Sequence, residues 1–342
     1  MLRCLLFCLL TAVSVTRPAL AQTPMAPGTS GAVSSSSSGS TSSTTAYPVV
    51  FVHGFAGWGQ FPGYGTNFDG MHPALAGKGE QAFFPDLPPF APPTVRAPIL
   101  AAEIQRILDD TGADKVHIIA HSLGGIDARK AIADFDLDDK VFSLTTVSTP
   151  HHGTPVAGLF QHVPGPLLWP IFAPMDFAYD VLRQREVGPM DISGTLEHMS
   201  EEALVEFNAA YPPPDAVHLF SIAGVTSHPT DACDGPWGKP SFEDAPIPFV
   251  WPTFFTMRMR PRDSVANDGV VDVMSARWEG FLGCIPADHF DEVGKGADLF
   301  ASPQSGVLDH RAFYLDYVAR LRQLERTNDR RVVEVPLVVQ AK

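Results

Sequence analysis

The run Val116-His117-Ile118-Ile119-Ala120 leads straight into Ala120-His121-Ser122-Leu123-Gly124, and Gly125 to Phe135 then reads as a helix. A chain that passes from a buried strand through a serine into a helix within so few residues has to turn sharply. Small residues at Ala120 and Gly124 let the two backbones close on each other. This layout is a nucleophile elbow, which lifts a serine hydroxyl clear of a sheet. A serine that merely caps an ordinary helix would use the same residues, so the flanking elements carry the argument. The strand is short, β-branched and nearly all apolar, as expected of a strand covered on both faces in a parallel sheet.

The same alternation extends along the chain. Val49-Val50-Phe51-Val52 reads as a strand ending at His53-Gly54. After a Pro-rich loop from Phe84 to Pro98, a helix with apolar Leu100, Ile104, Ile107 and Leu108 ends at Gly112. Further strands are expected over Val141 to Val147 and Val217 to Ile222, and a last helix carries Tyr314, Tyr317, Val318 and Leu321. Strands alternating with helices predict an α/β fold with a mostly parallel central sheet and helices on both faces. The segment 156–211 breaks the pattern. It is rich in apolar residues, while Pro164, Pro166, Pro170 and Pro174 forbid one continuous helix. It is expected to be either a mobile cover over an apolar site or a permanently packed helical subdomain.

The ends of the chain have a different character. Arg3, the apolar stretch Leu5 to Val15 and Ala19-Leu20-Ala21 have the form of an export signal cleaved after residue 21. The stretch is shorter than the roughly 20 apolar residues of a permanent membrane anchor. Residues 22–46, rich in Ser, Thr, Gly and Ala, read as a flexible leader, and the folded domain is expected over 47–342. The expected destination is extracellular, by way of the periplasm. Only Cys233 and Cys284 remain beyond the signal; in an oxidising compartment they are either paired or two separate buried thiols. The formal charge is −14, and loss of Arg3 and Arg17 with the signal takes it to −16. So acidic a chain excludes nucleic acid as a partner, and no basic amphipathic helix suggests docking to anionic lipid.

A serine hydroxyl is a poor nucleophile at neutral pH without a base. In an elbow fold the base and its carboxylate follow the serine in the order Ser, Asp/Glu, His. Among the histidines after Ser122, His289 lies late in the chain in the polar stretch Ala287-Asp288-His289-Phe290-Asp291. Asp268, in Asn267-Asp268-Gly269-Val270-Val271, combines turn residues with a β-branched run, which predicts a carboxylate at a strand edge. A turn-shaping aspartate and a surface histidine are the plainer readings of the two. Two backbone N–H groups are needed for the oxyanion: Leu123, after the serine, and Phe55, in the Gly-containing loop 53–57 that follows the first strand.

With these residues in hand, the chain resembles the true lipases of the Pseudomonas and Burkholderia type, secreted triacylglycerol lipases of the α/β-hydrolase fold. The likeness runs from Tyr47 to about Leu324. It rests on Tyr47-Pro48-Val49-Val50-Phe51-Val52-His53-Gly54-Phe55-Ala56-Gly57, His121-Ser122-Leu123-Gly124-Gly125 and Ser148-Thr149-Pro150-His151-His152-Gly153. It continues through Phe207-Asn208-Ala209-Ala210-Tyr211-Pro212, Asn267-Asp268-Gly269-Val270-Val271 and His289-Phe290-Asp291-Glu292-Val293. The resemblance implies a triad of Ser122, Asp268 and His289, an oxyanion hole from Phe55 and Leu123, a lid within 156–211 and a Cys233–Cys284 disulfide. It implies no cofactor for the chemistry, but a structural calcium bound in part by Asp291, with Asp244 as a candidate second carboxylate. The implied substrate is a lipid or other ester, met at an oil–water interface, and the implied partner is a dedicated foldase.

The chain departs from the family at Ala120, usually glycine, at His152, usually Arg or Lys, and in the spacing of Cys284 from Asp268. Alternatives that use the same triad are a short-chain esterase, an aliphatic polyester depolymerase, a phospholipase or an acyltransferase. From another class, the fold could serve a secreted non-catalytic protein that binds lipid or polymer.

Overall fold

The computed structural model describes residues 46–59, 66–157, 191–226, 231–238, 266–295 and 308–336. They belong to one compact unit, Ser43–Lys342. The export signal, residues 22–45 of the leader, Asp244 and residues 158–190 of the expected cover lie outside the described residues.

Six strands form one sheet: β1 (Val49–Val52), β2 (Ala82–Phe83), β3 (Val116–His121), β4 (Val141–Val147), β5 (His218–Gly224) and β6 (Phe281–Ile285). Their spatial order is β2-β1-β3-β4-β5-β6, and every pairing is parallel. The period-2 alternation of β1 assigns its side chains to two cores. Val49 and Phe51 face one side, where they meet Phe68, Met71 and Leu75 with Tyr314, Tyr317 and Leu321. Val50 and Val52 face the other, against Leu100, Ile104, Ile107, Ala128 and Ile132. Helices therefore cover both faces: α1 (Met71–Ala76) and the long C-terminal helix over His310–Thr327 on one, α2 (Pro93–Thr111) and α3 (Leu123–Asp134) on the other.

Local chemistry sets the ends of these elements. Pro93 opens α2 where a missing N–H costs nothing, and Gly112 closes it in the left-handed conformation, its N–H donating to the Leu108 carbonyl. Within the expected cover, α4 (Ile192–Glu197) and α5 (Glu201–Ala210) are capped by Asp191 and Ser200. The chain closes with α6 (Val273–Ala276), the C-terminal helix α7 (His310–Thr327) and α8 (Arg331–Glu334).

Two expectations change. The loop read from Phe84 to Pro98 ends at Pro92, because α2 begins at Pro93 and runs on through Pro98. The run Val270-Val271 is not a strand: Asn267 and Asp272 form an isolated bridge, and α6 follows at once. Asp268 captures the N–H groups of Val270 and Val271, so the run closes a turn around the carboxylate instead of joining the sheet.

Candidate active site

Ser122 sits between the last residue of β3 and the first of α3 with φ 56° and ψ −130°. A positive φ on a serine costs on the order of 1–3 kcal/mol and persists only where its surroundings impose it. Here they do. The Ser122 N–H donates to the Val147 carbonyl at 2.9 Å, and its own carbonyl accepts from Thr149 Oγ1 at 2.8 Å and Gly125 N at 3.0 Å. Gly124 lies so close to β1 that an added Cβ would stand 2.7 Å from the Val52 carbonyl oxygen.

Ser122 Oγ faces His289 Nε2 at 2.9 Å, and His289 Nδ1 faces Asp268 Oδ2 at 2.7 Å. The Asp268 side chain is fixed from behind, since its Oδ1 accepts from Val270 N at 2.8 Å and Val271 N at 2.7 Å. A backbone bond from His289 N to the Asp268 carbonyl, 3.0 Å, ties the two loops together. Nucleophile, base and carboxylate, spread over 167 residues, are thus in one hydrogen-bonded line, and all three are buried.

Leu123 opens α3, so its N–H is one of those with no acceptor inside the helix. Beside it runs the loop after β1. A Cβ on Gly54 would lie 2.7 Å from Ser122 Cβ, which places the backbone leading to Phe55 directly against the nucleophile. Phe55 packs edge-on against Phe90, with centroids 5.3 Å apart.

Nothing in the local pattern of residues points to what holds this loop. Arg96, fully buried on α2, donates from Nη2 to the His53 carbonyl at 2.6 Å, from Nη1 to the Pro88 carbonyl at 2.7 Å and from Nε to Asp127 Oδ2 at 2.7 Å. Burial pushes Asp127 up to about 6, although the Arg96 charge pulls it down. The guanidinium fork spends its rigid geometry on the carbonyl just ahead of Gly54.

A second unannounced cluster lies beneath His289. The His121 ring is 4.5 Å from the His289 ring, and its Nε2 lies 2.9 Å from Glu292 Oε2. Ser148 Oγ donates to Glu292 Oε1 at 2.6 Å and accepts from Gly224 N at 2.9 Å. Burial holds His121 well below and Glu292 well above their usual ranges, so the neutral forms are favoured. Glu292 was part of a recognisable motif, but nothing in sequence tied it to a histidine 171 positions away.

Cys233 and Cys284 form a disulfide with Cα atoms 5.3 Å apart. Asp291 is buried in a 3₁₀ turn, Asp291–Val293, two residues after the triad histidine. Asp288 Oδ1 caps that turn by accepting from Phe290 N and Asp291 N, each at 2.8 Å. Among the described residues, no helix is long and apolar enough to cross a membrane.

A parallel sheet with helices on both faces, and a strand that passes through Ser122 into a helix, make up the α/β-hydrolase fold. Residues 47–163 match the family described as alpha/beta hydrolase fold. The chain is also similar to bacterial triacylglycerol lipases. It is 35% identical over 126 residues to one from Burkholderia plantarii, covering 36% of this chain and 35% of that protein. It is 26% identical over 293 residues to one from Pseudomonas fragi, covering 78% and 95%. The chain thus spans little more than a third of the length of the curated relatives it matches at 35% identity. The solved lipase of Staphylococcus hyicus shares the fold, with a TM-score of 0.59 at 17% identity over 82% of this chain and 96% of that one.

Proposed function

We propose that this protein is an exported carboxylic ester hydrolase that acts on lipidic esters, triacylglycerols foremost, through an acyl-enzyme on Ser122. The observation that carries the reading is the line from Asp268 Oδ2 through His289 to Ser122 Oγ, with contacts of 2.7 and 2.9 Å.

In this mechanism Ser122 Oγ attacks the ester carbonyl carbon as His289 Nε2 takes its proton. Asp268 holds the Nδ1–H tautomer and stabilises the imidazolium. The N–H groups of Leu123 and Phe55 receive the negative oxygen of the tetrahedral intermediate. His289 then protonates the leaving alcohol, and water, activated by the same imidazole, releases the acid and restores Ser122. The names of the similar lipases and the apolar side chains around the nucleophile, Leu123, Phe90, Ile126 and Leu196 with Phe55, favour an apolar acyl chain. Segment 156–211 would cover that chain as a lid.

Asp291 suits a structural calcium: a buried carboxylate in a tight turn offers the hard oxygen such an ion takes. Calcium bound there would brace the His289 loop and take no part in the chemistry. A foldase that assists assembly after export completes the proposal.

The decisive assay compares an emulsified long-chain triglyceride with a dissolved short-chain ester, using the chain without its signal and its Ser122→Ala variant. Emulsion hydrolysis that vanishes in the variant is expected. Serine-dependent activity on the short ester alone would make the protein an esterase or polyester depolymerase. Its absence on both, in folded protein, would sink the enzymatic reading in favour of lipid or polymer binding.

A further inference from the structure

We propose that His121, His289 and Glu292 form a binding site for a divalent transition-metal ion, Zn2+ foremost, and that occupancy of this site switches the serine centre off. Each residue offers one ligand atom, and these atoms all lie within 4.8 Å of one another. Zinc bonds of about 2.1 Å in tetrahedral geometry set donors roughly 3.4 Å apart, so closing the site asks for shifts of no more than about 1.4 Å. Two imidazoles and a carboxylate are a donor set that zinc accepts readily, whereas calcium and magnesium favour oxygen throughout.

Two independent features point the same way. His121 Nδ1 is a buried polar atom with no hydrogen-bond partner, so this imidazole has a nitrogen to spare inside the protein. His289 already carries a carboxylate behind Nδ1, the arrangement that orients a metal-binding histidine and raises its basicity. With Nδ1 committed to Asp268, Nε2 is the nitrogen left for the metal, and it is the one that faces Ser122 Oγ. Glu292 is held in place by the Ser148 hydroxyl.

The inhibitory half of this proposal rests on Ser122 being the nucleophile; the binding half does not. The test uses the chain stripped of metal with EDTA and dialysed. Zn2+ is titrated by calorimetry, and Co2+ is added in parallel to read coordination geometry from its visible spectrum. The rate at which a fluorophosphonate labels Ser122 is followed at each Zn2+ concentration. Expected are one bound Zn2+ per chain, a tetrahedral Co2+ spectrum and a labelling rate that falls with occupancy and returns with chelator. An equal concentration of Ca2+ should not slow labelling.

Glu292→Gln keeps the size and hydrogen-bonding capacity of the side chain but removes the anionic ligand. It should weaken zinc binding and zinc inhibition together by at least about tenfold. His121→Asn serves the same purpose if that variant fails to fold. Zinc that binds without slowing labelling, or inhibits both folded variants as strongly as the parent, would overturn the site. Failure of labelling even in metal-free protein would instead count against Ser122 as nucleophile, and the calorimetric result would still judge the metal site.

Discussion

Asp268 divides its two carboxylate oxygens between two tasks. Oδ2 faces the His289 imidazole, while Oδ1 is held by two backbone N–H groups of its own turn. Asp268→Asn is close to isosteric and can preserve the turn bonds through its carbonyl oxygen, but its NH2 group then meets His289 Nδ1. That forces the opposite tautomer, with the proton on Nε2, where it cannot accept from Ser122. The expected loss in kcat is about 10⁴-fold, with the thermal midpoint nearly unchanged. Steady-state hydrolysis of a soluble ester beside a melting curve checks this, and a loss below about tenfold would show that the tautomer is held some other way.

At the scale of elements, Arg96 ties α2 to α3 through Asp127 and to the loops after β1 and before α2 through the His53 and Pro88 carbonyls. Arg96→Met leaves Asp127 buried without its cation and should destabilise the protein by about 3–5 kcal/mol, read from urea unfolding. Arg96→Lys keeps a charge but not the fork, so the loop carrying Phe55 loses its fixed position. A fall in kcat of roughly 10²-fold at small cost in stability is expected, and full activity in that variant would refute the positioning role.

This is also the scale at which sequence becomes hard to read. The elbow turn, β1, β3, β4 and the three residues that meet in the Ser122–His289–Asp268 line were legible, because each is written in local periodicity or in a motif with a mechanical reason. β6 was not, because Phe281-Leu282-Gly283-Cys284-Ile285 carries a glycine at its centre with φ 138°. β2 is two residues long, below any periodicity. Arg96 falls within the stretch read as a Pro-rich loop, and its partner Asp127 lies 31 positions on, so only the fold brings them together.

For the molecule as a whole, the Cys233–Cys284 bridge closes a 51-residue separation that contains Asp268. By the loop-entropy model such a closure contributes about 4 kcal/mol, and replacing both cysteines by serine should lower the unfolding free energy by roughly that amount. Acid stability depends on a different set of groups. Burial, foremost, holds His117, His121 and His151 below their usual value of 6.5, His121 and His151 well below. The unfolded chain therefore binds protons first as pH falls. Their contribution is complete above about pH 6.5 and is lost toward the lower folded values, at up to roughly 1.4 kcal/mol per pH unit for each histidine. Asp127, raised to about 6, acts in the opposite sense between its unfolded value and 6, so it offsets about one histidine there. Glu292 and Asp272, also raised by burial, act in the same sense as Asp127, so the histidine contribution has to be read one residue at a time. His151 isolates the effect. Its Nδ1 faces Arg129 Nη1 at 3.1 Å, its Nε2 faces Thr146 Oγ1 at 3.0 Å, and its ring stacks on Trp278 with Arg129 over the same indole. Protonation would set a second cation against a guanidinium that has no carboxylate of its own among the described residues. His151→Gln can still accept from Arg129 but cannot titrate. Urea unfolding at half-unit steps from pH 7 to 5 should show a pH slope shallower by about one proton in the variant, and an unchanged slope would place the acid sensitivity elsewhere.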